Sequence, residues 1–152
     1  MEIEFRRVIL KKEIPWDILL LADPSLKMIK SYINKSIVYS LIVKKKFIGC
    51  VVLFSLNNQR VEIKALAIKE KYQGRGYGAK LLEFSFEEAK RLKYKEVFIG
   101  TANSSIGQLY LYQKMGFEIN SLRKNFFIKN YKHPIWENQI QAKHLVWLKR
   151  KV

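Results

Sequence analysis

The chain has 152 residues, 49% hydrophobic and 28% charged, a length that suits a single domain over residues 1–152 and supports a core without disulfide or structural metal. Its one cysteine, Cys50, excludes an intramolecular disulfide and a Cys-rich zinc site and points to a reducing, cytoplasmic setting. With 29 Lys and Arg against 13 Asp and Glu, the net charge of +16 asks for an anionic partner: nucleic acid, a membrane surface or a phosphorylated cofactor.

The first residues, Met1-Glu2-Ile3-Glu4-Phe5-Arg6-Arg7, lack the apolar centre of a signal peptide. No stretch approaches the roughly 18 apolar residues of a membrane span. The sequence therefore predicts an intracellular protein with no membrane partner. Residues 3–8 alternate as a strand, and residues 15–21 begin a helix with Pro15 near its first turn. Asp23-Pro24 interrupts that helix, and Ser25 caps a second one whose spacing turns Leu26, Ile29, Tyr32 and Ile33 inward. Three β-branched apolar runs follow, 37–43, 47–56 and 61–68. They read as antiparallel strands joined by polar turns at Lys44-Lys45-Lys46 and Asn57-Asn58-Gln59.

Residues 78–92 carry a strong helical pattern, with Leu81, Leu82, Phe84, Ser85, Phe86 and Ala89 inward and Glu87, Glu88, Lys90 and Arg91 outward. Residues 96–100 form a short, nearly continuous apolar strand of the kind found at a sheet centre. Residues 104–115 are helical, with Ile106, Leu109, Tyr110 and Tyr112 available to the core and Gly116 closing the C-terminus. Residues 126–128 and 144–148 read as two last strands. The loop between them, Tyr131-Lys132-His133-Pro134-Ile135-Trp136-Glu137-Asn138, has apolar and acidic members unusual for a solvated connection. With no linker, repeat or low-complexity tract, the order predicts an α/β (α+β) fold, a mixed and mostly antiparallel sheet flanked by helices.

The most informative stretch is the strand at 61–68, which leads through Lys69-Glu70-Lys71-Tyr72 into Gln73-Gly74-Arg75-Gly76-Tyr77-Gly78-Ala79 and the long helix. Alternate glycines let the backbone adopt positive φ and turn successive N–H groups toward one anion. The helix N-terminus adds about half a positive charge, which suits a pyrophosphate. Arg75 adds a direct charge. A Walker A pattern does not fit the loop. Gly74 to Ala79 does satisfy Gly-x-Gly-x-x-Ala, a dinucleotide fingerprint, but three strands precede it where the fingerprint's strand opens its fold. A glycine-rich turn that binds nothing is the bland alternative.

Gln73-Gly74-Arg75-Gly76-Tyr77-Gly78 also resembles the Gln/Arg-x-x-Gly-x-Gly/Ala signature of the GNAT N-acetyltransferase superfamily. Downstream, Asn103 followed by Leu111-Tyr112-Gln113-Lys114-Met115-Gly116-Phe117 resembles that family's Asn and Leu-Tyr-x-x-x-Gly-Phe segment. The resemblance implies acetyl-CoA as co-substrate, its pyrophosphate on the backbone amides of Gln73 to Ala79. It also implies a pantetheine arm paired with Leu66, Ala67 and Ile68 and touching Asn103, and no metal. A backbone N–H of that fourth strand would polarise the thioester carbonyl.

Acyl transfer needs a neutral amine. A lysine-like amine of pKa about 10.4 is protonated at pH 7 by roughly three units, about 4–5 kcal/mol, so a group must accept that proton. Glu62, the only acid between Asp23 and Glu70, lies on the strand leading into the loop, and its surroundings resemble the base-bearing strand of the family's histone-acetylating branch. The plain alternative is an outward Glu62 paired with a lysine. Glu137 and a water relay are the other candidate bases. Tyr112 matches the family tyrosine near the leaving thiolate, where hydrogen bonding suits a phenol better than outright proton donation. Core packing is its alternative role.

His133 and His144 are isolated and predict no metal site, and Cys50 among Ile48, Val51 and Val52 reads as packing. Lys44 to Lys46 and Lys149-Arg150-Lys151 are solvated faces or RNA contacts, and Trp136-Glu137-Asn138 lines the acceptor site or a subunit contact. The expected function is acetyl transfer from acetyl-CoA to a small-molecule or peptide amine by direct transfer in a ternary complex. A nucleic-acid or ribosome-associated binding module on the same scaffold is the alternative, and homodimer formation is left open.

Overall fold

Residues 2–152 are described by a computed structural model. In chain order the strands are β1 (Ile3–Arg7), β2 (Ser36–Val43), β3 (Lys46–Ser55), β4 (Arg60–Ile68), β5 (Glu96–Ala102), β6 (Glu118–Arg123), β7 (Trp136–Glu137), β8 (Ile140–Gln141) and β9 (Leu145–Lys151). The helices are α1 (Trp16–Ala22), α2 (Leu26–Tyr32), α3 (Tyr77–Arg91), α4 (Ile106–Lys114) and α5 (Phe126–Asn130). Seven strands form one sheet in the order β1-β2-β3-β4-β5-β9-β6, and β7-β8 is a separate hairpin. Every neighbouring pair in the large sheet is antiparallel except β4 with β5. This is the expected mixed, mostly antiparallel sheet flanked by helices.

The β-branched runs of β2 to β4 are buried on both faces, as their continuous hydrophobicity requires. On one face, Val51, Leu53, Val61 and Ile63 pack against Leu81, Leu82 and Phe86 of α3. On the other, Cys50, Val52, Ala65 and Ala67 meet Ile18 and Leu19 of α1 and Ile29 and Tyr32 of α2. Ser25 caps α2 as expected, its Oγ accepting from the Met28 N–H at 3.2 Å. Burial pushes the Cys50 thiol up to about 12, so the cysteine is packing and is inert at neutral pH.

The expected strand at 126–128 is instead helix α5. Asn125 turns the chain at φ 60°, and Phe126 and Phe127 then pack on a cluster of Phe98, Leu145 and Trp147. The seventh strand of the sheet is β6, whose residues are all exposed along an edge and carry no clear alternation. Leu26, Ile106 and Tyr110 point to solvent, because α2 and α4 each bury only a narrow seam, on Ile29 and Tyr32 in α2 and on Tyr112 in α4.

Candidate active site

The site begins where two strands part. β4 and β5 pair only from Arg60 to Ile63 against Glu96 to Ile99. Beyond that point β4 runs on with β3 alone and β5 with β9, and a cleft of about 960 Å³ opens between them. A crevice at the diverging ends of parallel strands is a usual ligand site in mixed sheets.

A β-bulge sits at the parting point. Val52 faces Ala65 and Leu53 faces Ile63, so Lys64 is an extra residue in β4. The bulge breaks the alternation of side chains. Val61 and Ile63 lie on the α3 face, whereas Ala65 and Ala67 lie on the α1-α2 face. Glu62, between Val61 and Ile63, therefore shares the α1-α2 face with Ala65 and Ala67 and lines the cleft.

Glu62 is only 8% exposed, and Lys64 Nζ stands 3.6 Å from its Oε1. The carboxylate is thus buried in the cleft and not turned outward, and it is paired with a lysine. Burial raises its pKa above the ordinary carboxylate range, against the lowering pull of Lys64 and Arg123.

The glycine loop forms the facing wall. Gly74 and Gly76 adopt φ of 75° and 85°, and Gly76 is the N-cap residue of α3. A Cβ built at either position meets no atom within 4 Å, so backbone conformation and not packing requires glycine there. Gln73 Nε2 donates to the Ile68 carbonyl at 2.9 Å and ties the loop to the end of β4. The loop from 73 to 79 lines the cleft except for Arg75, whose guanidinium lies 5.7 Å from the Tyr72 ring centre. The main chain of the loop and the start of α3 thus face the cleft, a geometry that fits a diphosphate.

Leu66, Ala67 and Ile68 line the same cleft on the β4 edge that β5 leaves. Tyr112 of α4 lines it as well. Its phenol is buried beside Phe117, and burial alone raises its pKa, which keeps the hydroxyl neutral.

Asn103, expected to touch the pantetheine arm, makes hydrogen bonds within the protein. Its Oδ1 accepts from the N–H groups of Lys143 and His144 at 2.8 and 2.9 Å, and its Nδ2 donates to the Gln141 carbonyl at 3.1 Å. It does not line the cleft, because its side chain is spent on fixing the segment that leads into β9. Asn103→Ala is expected to cost about 1–3 kcal/mol in urea unfolding, from donors left without their acceptor. A loss of acetyl-CoA affinity without that destabilisation would restore the direct contact.

The hairpin β7-β8 is pinned to the start of α4. Ser105 Oγ and Ser104 Oγ donate to Glu137 Oε1 at 2.8 and 3.3 Å, and Asn138 Nδ2 donates to the Ser104 carbonyl at 2.8 Å. Glu137 lines the cleft and Trp136 does not.

Among the polar lining residues that sequence reading passed over are Asp23, Tyr32, Lys64, Arg123 and Tyr131. Tyr131 Oη donates to Asp23 Oδ1 at 2.9 Å across a separation of 108 residues. Burial pushes the Asp23 carboxyl upward, opposed by hydrogen bonds from Ser25 and Tyr131 and by Lys64. The one sequence signal for this wall was the unusual apolar and acidic make-up of the loop at 131–138.

Among the described residues no group of His, Cys, Asp and Glu is placed to hold a metal ion, and no helix is long and apolar enough to cross a membrane. The family model described as the acetyltransferase (GNAT) family matches residues 12–117. An uncharacterized N-acetyltransferase of Bacillus subtilis strain 168, YvbK, is 41% identical over 133 residues, which are 88% of this chain and 86% of that protein. A GNAT family acetyltransferase from Elizabethkingia anophelis, solved with acetyl-CoA bound, superposes with a TM-score of 0.96 at 43% identity, covering 99% of this chain and 98% of that one. A Bacillus subtilis acetyltransferase in complex with CoA superposes with a TM-score of 0.94 at 36% identity, covering 99% of each chain.

Proposed function

We propose, from the premise that the chain belongs to the GNAT family of acetyltransferases, that it passes the acetyl group of acetyl-CoA directly to a primary amine within a ternary complex. The protein is an acetyl-CoA-dependent acetyltransferase, in keeping with two similar structures that hold acetyl-CoA and CoA. One observation carries the finer reading: Glu62 stands where β4 and β5 part, inside the cleft that the glycine loop and the open edge of β4 also line.

Bound acetyl-CoA supplies an activated acyl carbon and a thiolate leaving group. The backbone amides of residues 73–79 hold its diphosphate, with α3 adding its positive N-terminal end. The main chain of Leu66, Ala67 and Ile68 pairs with the extended arm, and an N–H of that segment polarises the thioester carbonyl. Glu62 accepts the proton of the acceptor ammonium, directly or through a water. The amine nitrogen then bonds to the acyl carbon, the carbon–sulfur bond breaks, and the extra proton left on the new amide nitrogen passes through solvent to the CoA thiolate. Tyr112, held neutral by burial, donates a hydrogen bond to the departing thiolate.

Tyr112→Phe is expected to lower kcat roughly 10- to 100-fold through loss of a hydrogen bond to a charged group. The KM for acetyl-CoA should stay within about twofold; a change confined to KM would place Tyr112 in ground-state binding instead. Direct transfer is tested with radiolabelled acetyl-CoA in the absence of acceptor. No acetyl-protein is expected, and an acetylated enzyme chased by amine would contradict the reading. Net charge is the only observation behind a nucleic-acid-binding module on this scaffold.

A further inference from the structure

The acceptor half of the cleft has two walls far apart in sequence. One is the end of α1 and the start of α2, with Asp23 between them. The other is α5 and the chain to β7, with Tyr131. The hydrogen bond from Tyr131 Oη to Asp23 Oδ1 joins them, and the Ser25 N–H, 3.0 Å from the same oxygen, fixes the carboxylate. That tie joins the two walls across the cleft, which favours a small acceptor over a polypeptide.

Beneath the tie, Tyr32 lines the cleft at 4% exposure, and its hydroxyl is buried with no hydrogen-bond partner among the described residues. A buried hydroxyl without a partner is costly, and a site built to bond a substrate atom has such a group when its substrate is absent. Lys64 Nζ is held over the Tyr32 and Phe54 rings, 5.5 and 5.7 Å from their centres, and beside Glu62 at 3.6 Å. A carboxylate, an ammonium group and a hydroxyl with no partner among the described residues thus converge in one place.

The other two carboxylates of the cleft are already engaged, Asp23 by Tyr131 and Ser25, and Glu137 by Ser104 and Ser105. Glu62 is the remaining carboxylate lining the cleft among the described residues, and it too is paired, with Lys64 at 3.6 Å. A polycation therefore finds no free acid beyond the one that its reacting nitrogen would take from Lys64. An oxygen on the acceptor, by contrast, finds Tyr32 and Lys64.

We infer that the acceptor is a small free amine carrying an oxygen function, of the amino alcohol or amino acid kind, its nitrogen at Glu62 and its oxygen at Tyr32 and Lys64, and not a polypeptide or a polyamine. This rests on the acetyl-transfer reading above.

The test compares ethanolamine and free amino acids with propylamine, spermidine and a short peptide, in wild type and in Tyr32→Phe, with the acetyl-CoA thermal shift measured on the same samples. Wild type is expected to acetylate an oxygen-bearing amine with kcat/KM at least about 10-fold above propylamine, and to leave spermidine and the peptide unmodified. Tyr32→Phe should bring kcat/KM for the oxygen-bearing amines down to about the propylamine value and keep or raise Tm, because it removes a buried hydroxyl with no partner among the described residues. The inference is overturned if the peptide or spermidine is acetylated as well as ethanolamine and the amino acids, or if Tyr32→Phe lowers all amines alike. In those cases an intact acetyl-CoA shift leaves the acetyltransferase reading standing. Loss of both the shift and all turnover in wild type overturns both.

Discussion

Glu62→Gln is expected to lower kcat/KM by about 10²–10³ at neutral pH, within the range that general bases contribute, without weakening acetyl-CoA binding. The amide keeps the shape of the carboxylate and cannot accept the ammonium proton. In wild type the rate should climb as Glu62 loses its proton. Because burial raises that pKa, the climb should lie above the ordinary carboxylate range and vanish in the variant.

Stability should move the other way. With its folded pKa raised, Glu62 holds its proton in the folded state to a higher pH than in the unfolded chain. Between the two values the folded state binds more protons, so stability falls as pH rises through that window and the loss persists at neutral pH. Replacing the acid by its amide removes this cost, so the Tm of Glu62→Gln near pH 7.5 should equal or exceed that of wild type. A variant that lost activity and several degrees of Tm together would mark Glu62 as structural.

Gly76→Val is expected to abolish the response to acetyl-CoA while leaving the protein folded. At φ 85° a β-branched residue is strained by about 1–2 kcal/mol, and the loop relaxes by turning its amides away. The new side chain meets no protein atom near its Cβ, so the damage is confined to the loop and the first turn of α3. In wild type, ligand at about 100 times its Kd adds roughly 2.7 kcal/mol of stability, seen as a thermal shift. The variant should show no shift at the same concentration. An unchanged shift would move the anion-binding surface elsewhere, with the lysines of the β2-β3 turn the next place to look.

The strands β2 to β5, the helix α3 and the glycine loop are all legible in the sequence, because apolar periodicity and paired glycines are local signals. The bulge at Lys64 is not. It appears only when β4 is set against β3, and it decides that Glu62 shares a face with Ala65 and Ala67. Residues 126–128 misled because a short aromatic and branched run is equally compatible with strand and helix; the left-handed turn at Asn125 and the cluster around Trp147 decide for helix. Asn103 was recognised as notable by resemblance, yet its partners lie about 40 residues downstream, beyond any local pattern. The Tyr131–Asp23 bond is longer in range still, which is why the acceptor wall was the least readable part of the site.

The most direct test of the account is a ¹⁵N-resolved NMR titration of the protein with acetyl-CoA. The largest shift changes are expected at the backbone amides of Gly74, Gly76, Gly78 and Ala79, continuing along Leu66 to Ile68 of β4. Changes centred instead on Lys44 to Lys46 or on Lys149 to Lys151, with the glycine loop silent, would contradict it.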